Sequence, residues 1–172
     1  MWVPRALLLA YLAWIGLRCL RDPMAGSLFS GITLGIHELG HAVLAWAPRF
    51  LEAAGGSIAQ VAAPAAAVAL FYRQRDFFGS AVAGCWLAFS LFSLGTYIGD
   101  ARSQELPLVG LSENPEHDWH YLLSAVGMLG ADRFLGFLTR ALAALVLAAS
   151  LALGAWLCAT MFRSRRSRVS AG

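Results

Sequence analysis

Five long apolar runs divide this chain, and they leave little room for anything other than membrane-spanning helices. Hydrophobic residues make up 59% of the 172 residues and charged residues only 13%, whereas soluble domains average about 25% charged residues. A helix of about 20 apolar residues crosses the hydrocarbon core of a bilayer. We therefore predict an all-α, polytopic transmembrane helical bundle that forms one integral membrane domain over residues 1–172. The predicted spans are residues 2–20, 25–47, 54–72, 77–98 and 134–162.

The remaining polar sequence lies in two places, an extramembrane segment at residues 99–133 and a basic tail at residues 163–172. Within the first, Asn114 and Pro115 are typical of a helix start, where Asn caps the helix and Pro fits its first turn. We predict a short amphipathic helix from Pro115 to about Leu129. Helical periodicity places His117 and His120 on its polar face.

Arginine next to the spans gives an expected orientation, because cytoplasmic loops of membrane proteins collect basic residues. Five spans would put the basic tail on one side together with four further arginines, Arg18, Arg21, Arg73 and Arg75. We expect a multi-pass protein of a bacterial inner membrane, with a cytoplasmic C terminus, an N terminus outside and residues 99–133 outside. The lipid bilayer is an expected partner. No basic face interleaved with aromatic residues occurs, so no nucleic-acid partner is expected, and the sequence sets no oligomeric state.

The second run contains the motif His37-Glu38-Leu39-Gly40-His41. On a helix, its two histidines project from one face one turn apart and can hold one zinc ion, with a carboxylate beside them able to activate water. A histidine pair satisfied by hydrogen bonds inside a bundle is the alternative. Ionisable side chains within a span are costly and tend to mark function. We therefore predict a Zn²⁺ site with His37 and His41 as ligands and Glu38 as general base.

A catalytic zinc usually has three protein ligands and one open position, so a third ligand is needed. Asp100 and His117 are the two candidates, and Asp100 has the alternative role of an interfacial acid paired with Arg102. His120 and Asp118 are predicted to orient a ligand or the substrate, although Asp118 is equally suited to capping the short helix. The last residue predicted in such an orienting role is Gln60, which follows Gly55-Gly56-Ser57, a segment able to bind an extended peptide or simply to turn.

The sequence His37-Glu38-Leu39-Gly40-His41-Ala42 in an apolar run, followed by Gly55-Gly56, resembles the membrane-embedded zinc metallopeptidases of the site-2 protease class. The resemblance implies that His37 and His41 bind zinc and that Glu38 is the general base. In that class an aspartate within Asn-Pro-x-x-Asp-Gly or Leu-Asp-Gly completes the site. No Asp-Gly pair occurs here, and Asp100 stands in Gly99-Asp100-Ala101, so the resemblance does not assign the third ligand.

These observations predict a zinc-dependent peptidase that hydrolyses a peptide bond of a membrane or membrane-proximal protein by metal-activated water. The first alternative is a metal transporter or sensor, in which the histidines and Asp100 bind a transition metal without turnover. A haem-binding bundle with paired histidines is the second.

Overall fold

The computed structural model describes residues 2–107 and 116–170, and every regular element in these two ranges is helical. The all-α prediction is confirmed. A 3₁₀ turn at Leu129–Ala131 precedes the last of six α-helices. The helices are α1 (Val3–Arg21), α2 (Ser30–Leu44), α3 (Arg49–Arg73), α4 (Phe77–Gly99), α5 (Asp118–Ala125) and α6 (Asp132–Ser170).

Four of the helices in the described ranges, α1, α3, α4 and α6, are long and apolar enough to cross a membrane. The chain is thus a membrane protein built as a helical bundle. The predicted span at residues 25–47 is different, because α2 has only 15 residues. At about 1.5 Å per residue it is about 22 Å long, whereas a hydrocarbon core is about 30 Å thick. The predicted count of five spans therefore becomes four in this part of the chain.

Helix α1 runs antiparallel to α6. Near the start of α1, Arg5 donates a hydrogen bond of 3.1 Å to the Sδ of Met161, and the rings of Trp2 and Phe162 are 5.2 Å apart. The start of α1 therefore lies beside the end of α6. This corrects the predicted placement of the two termini on opposite sides, which depended on an odd number of spans. It also moves Arg18 and Arg21 to the end of the bundle away from the basic tail, so the arginine bias between the two ends becomes nearly even.

Helix α2 begins half-way along the bundle instead of at its surface. Thr96, near the end of α4, donates to the Pro23 carbonyl at 3.3 Å. Six residues later the Phe29 ring stacks on Trp86 at 5.5 Å, near the middle of α4, and Trp86 Nε1 donates to Thr33 Oγ1 at 3.0 Å. Residues 22–29 thus turn back into the bundle, and α2 rises from there to the end where α4 finishes. Such re-entrant backbone is tolerated in a membrane where it lines a cavity, and residues 23–27 line the cavity described below.

Helix α4 is the centre of the bundle and contacts α1, α3 and α6. The core cluster lies mainly between α1, α4 and α6 and includes Leu12, Phe89 and Leu147. Small residues bring α4 and α6 close together: a Cβ added at Gly136 would lie 2.6 Å from the Gly95 carbonyl oxygen. Close backbone approach of this kind stabilises helix packing where water supplies no hydrophobic drive.

Two predicted segments have different bounds in the structure. The third span, predicted over residues 54–72 with a kinked or re-entrant first half, is the continuous helix α3, which contains Pro64 in its interior. The short helix predicted from Pro115 is α5, which begins at Asp118 with His117 as its N-cap. Asn114 and Pro115 lie outside the described residues.

Candidate metal centre

The two motif histidines lie on the face of α2 that packs against α3. Their Nε2 atoms are 3.1 Å apart, as expected for imidazoles one turn apart on a helix that point at a common centre. The His37 side chain is buried and that of His41 half-buried. The predicted pair is thus formed in the folded chain, at the end of the bundle where α2 and α4 finish and α3 begins.

Asp118, the first residue of α5, completes the group. Its Oδ2 atom lies 3.2 Å from the Nε2 of His37 and 3.2 Å from the Nε2 of His41. The three atoms form a nearly equilateral triangle. Two ligands of a tetrahedral zinc are about 3.3 Å apart when the metal–ligand bonds are about 2.0 Å long. The donor set and its spacing therefore fit one face of a zinc tetrahedron, with the fourth position left for water.

Hydrogen bonds at the far side of each ring fix the tautomer that metal binding requires. His37 Nδ1 lies 2.9 Å from Gln60 Oε1, and Gln60 Nε2 donates to the Ser90 carbonyl at 3.0 Å, which orients the amide. His41 Nδ1 lies 2.8 Å from the Glu52 carbonyl oxygen. Because each Nδ1–H donates to an oxygen, each neutral ring presents a lone pair at Nε2. Two imidazole nitrogens and one carboxylate oxygen then meet, a donor set that a bound cation would satisfy.

The carboxylate of Asp118 is held in its ionised form. Burial on its own would raise its pKa, but the adjacent imidazoles of His37 and His41 outweigh that effect and lower the pKa to about 2. The Asp118 carboxylate is therefore ionised at neutral pH, and the ionised form is the one that binds a divalent metal.

Glycines at the α2–α3 contact make room for this centre. A Cβ added at Gly56 would overlap the Nε2 of His41 and lie 2.6 Å from that of His37. At the preceding residue, a Cβ added to Gly55 would lie 2.6 Å from the Gly40 carbonyl oxygen. Gly40 thus takes part in the close contact between α2 and α3, whereas Gly35 has open space around it. Since Gly55-Gly56-Ser57 is helical, this segment packs against the metal centre and offers no strand edge to a peptide.

Two aromatic side chains hold Asp118 and its helix in place. The Tyr97 hydroxyl donates a hydrogen bond of 3.2 Å to Asp118 Oδ2 and accepts one of 2.9 Å from the Asp118 backbone N–H. The next residue, Trp119, donates from Nε1 to the Ser57 hydroxyl at 3.0 Å. The sequence suggests only membrane-interface roles for Tyr97 and Trp119. Their contacts depend on the long connection from α4 to α5, which periodicity within one helix does not reveal.

Asp100 and His117 are not brought to the two motif histidines. Asp100 accepts hydrogen bonds from the Ser103 hydroxyl at 2.7 Å and from the backbone N–H groups of Glu105 and Leu106, each at 3.0 Å. Burial opposes its ionisation, yet these bonds lower its pKa. His117 Nε2 is 3.4 Å from Asp100 Oδ2. Both predicted third ligands are thus used to shape the turn after α4.

Two further expectations for the polar segment, an orienting role for His120 and a pairing of Asp100 with Arg102, also differ from the contacts in the structure. His120 Nδ1 lies 2.8 Å from the Ala101 carbonyl oxygen, so this ring fastens α5 to the turn after α4 instead of reaching the metal centre. Asp100 does not pair with Arg102, since the Arg102 guanidinium binds the buried Asp132 at 2.8 Å.

Asp118 itself carries a sequence signal. Residues 114–118 read Asn-Pro-Glu-His-Asp, which matches the Asn-Pro-x-x-Asp part of the pattern described for the site-2 protease class. Trp119 stands where that pattern has glycine. A search that requires an Asp-Gly pair therefore misses Asp118 as a candidate ligand.

A cavity of about 810 Å³ adjoins the centre. His37, His41 and Asp118 line it, and so does the half-buried Glu38, the predicted base. From there the cavity extends along α2 and α4 past Phe89. It is large enough for a peptide segment, since small-ligand sites measure about 300–1,000 Å³.

No family model, curated protein or solved structure matches this chain.

Proposed function

We propose that the protein is a membrane-embedded, zinc-dependent peptidase. The observation that carries the proposal is the convergence of two imidazole Nε2 atoms and one carboxylate oxygen within 3.1–3.2 Å of one another, each positioned by an outer hydrogen bond. His37, His41 and Asp118 would hold the metal. The proposed metal centre resembles that of the site-2 protease class in its histidine pair and glutamate. Its third ligand, Asp118, would come from the short helix α5.

A bound zinc would supply a Lewis acid for the substrate carbonyl and lower the pKa of a water molecule. Glu38 lies in the cavity beside the ligands and would take the proton from the attacking water. The water oxygen bonds to the carbonyl carbon, the C–N bond breaks, and Glu38 passes the proton to the departing amine. Tyr97, whose hydroxyl is 3.2 Å from the ligand oxygen of Asp118, holds that carboxylate in position.

The cavity supports a protein substrate that belongs to the membrane or lies next to it. Its walls include Leu34, Ala42 and Phe92 from the apolar helices α2 and α4, and the metal centre lies at one end of the bundle. An extended peptide that enters from the bilayer or from that surface would reach Glu38. We place both termini, with the basic tail, on the cytoplasmic side and the metal centre towards the opposite face.

The test is the substitution Glu38→Gln, with Glu105→Gln as the matched control because Glu105 has an exposed side chain outside the cavity. New N termini in membrane proteins are catalogued by mass spectrometry in cells that produce each form. We expect cleavage products with the unaltered protein and with Glu105→Gln, and their loss with Glu38→Gln at an unchanged zinc content. Identical products from all three forms would show that Glu38 is not the base, as for a metal carrier or sensor.

A further inference from the structure

Arg140 is a cation inside the membrane-spanning part of the bundle. It is the ninth residue of α6, which begins at Asp132, so it lies about 12 Å along the helix from that end. Its side chain is half-buried and lines the same cavity as His37 and Glu38. A charged side chain at such a place is costly and is usually kept for a function.

The guanidinium of Arg140 is held by neutral groups. Nη1 donates to Thr96 Oγ1 at 2.9 Å, Nη2 donates to the Cys19 carbonyl at 2.8 Å, and Cζ lies 5.3 Å from the centre of the Phe92 ring. Within the described ranges no carboxylate forms an ion pair with it. Arg49, the other arginine of the cavity, pairs with Glu116. Arg140 is thus the arginine of the cavity lining that forms no ion pair in the described ranges, although the carboxylates of Glu38, Glu52 and Asp118 also line the cavity.

The fold makes room for this arginine. A Cβ added at Gly95 would lie 2.7 Å from Arg140 Cγ, so the stem of the side chain crosses α4 where α4 has no side chain. The contacts with Thr96 and Cys19 then fix the guanidinium before any ligand arrives. A fixed guanidinium loses little side-chain freedom on binding, and it has five N–H groups, of which these two contacts use two.

We propose that Arg140 binds a carboxylate of the substrate, either the free C terminus of a peptide or an aspartate or glutamate side chain. This inference rests on the proposed function in that the cavity takes a peptide. Carboxylate is the anion that a peptide itself supplies, and a guanidinium pairs with it strongly where water is scarce. Arg140 is then a specificity-determining residue, and its contact with Cys19 is the scaffold that positions it.

The test measures peptide binding without turnover, on the full-length, zinc-loaded Glu38→Gln protein in detergent. Three hexapeptides of Ala and Leu that carry an uncharged fluorophore without a carboxylate are compared by anisotropy: one with a free C-terminal carboxylate, one with a C-terminal amide, and one amidated with a central Glu. We expect at least one carboxylate peptide to bind about tenfold more tightly than the plain amide. Which of the two does so identifies the source of the carboxylate.

The same comparison is made after adding Arg140→Gln, with Arg133→Gln on the exposed side of α6 as the matched control. We expect the preference to disappear with Arg140→Gln and to persist with Arg133→Gln. Because zinc also binds carboxylates, a preference that survives Arg140→Gln would overturn the inference, as would equal affinity for all three peptides. If Arg140→Gln does not fold, Arg140→Met replaces it, because Met keeps an unbranched side chain without the charge, and an undiminished preference there overturns the inference too.

These outcomes are independent of the peptidase proposal. Hydrolysis by the unaltered protein without any carboxylate preference would reject the role of Arg140 alone. A carboxylate preference without hydrolysis would reject the peptidase and leave the binding site.

Discussion

At the scale of single residues, the candidate metal centre depends on which nitrogen of each imidazole faces Asp118. The motif spacing predicts that His37 and His41 share a face, and the structure places them so. It does not predict their outer partners, Gln60 Oε1 and the Glu52 carbonyl, at 2.9 and 2.8 Å, because these come from another helix. Gln60 is predicted only in a general orienting role. In the structure, the Gln60 Oε1 atom is the one positioned to accept from His37 Nδ1 and so to orient that ring.

Gln60→Ala removes the acceptor for His37 Nδ1–H and leaves the ring free to rotate. We expect zinc affinity to fall by about 10–100-fold, the usual effect of losing such an outer partner. Competition with a fluorescent chelator measures it. Gln104→Ala is the control, because Gln104 is exposed and contacts His120 instead of a zinc ligand; equal affinities for the two variants would argue against the orienting role.

At the scale of the elements, the sequence predicts the existence of each helix better than its bounds. Helix α2, with 15 residues, is eight residues shorter than the predicted span at residues 25–47. It begins at mid-bundle, because the aromatic contacts of Phe29 with Trp86 and Phe89 hold the preceding segment inside the bundle. The close contact of α2 with α3 at Gly40 and Gly55 depends on which two helices are neighbours, which the pattern of one helix does not give. That Gly56 faces both imidazoles follows only from the register of the two helices.

Gly56→Ala places a methyl group where the two Nε2 atoms converge. We expect the histidines to be displaced and the purified variant to contain much less than one zinc per chain. Gly35→Ala adds the same methyl group to α2 in open space, and metal analysis should find its zinc content unchanged. A fully loaded Gly56→Ala protein would mean that the metal lies elsewhere.

At the scale of the whole molecule, composition predicts a helical membrane bundle, and this is confirmed. The arrangement of the helices differs from the predicted one in one respect, because a run of apolar residues does not reveal whether its helix crosses the bundle or begins half-way along it. With α2 re-entrant, the four spanning helices bring the start of α1 beside the end of α6, through Arg5 with Met161 and Trp2 with Phe162.

Epitope tags at the two termini test this arrangement in sealed membrane vesicles. We expect both tags to be digested by added protease in one vesicle orientation and both to be protected in the other. The reason is that an even number of crossings returns the chain to its starting side. Protection of one tag together with digestion of the other would restore the five-span topology.

The most direct measurement of the central claim is the zinc content of the detergent-purified protein beside that of Asp118→Ala and Asp100→Ala. Asp118 contacts both histidines at 3.2 Å, whereas Asp100 binds the turn after α4. We predict one zinc per chain in the unaltered protein and in Asp100→Ala, and its loss in Asp118→Ala. A metal-free native protein, or an Asp118→Ala variant that keeps its zinc while Asp100→Ala loses it, would contradict the account.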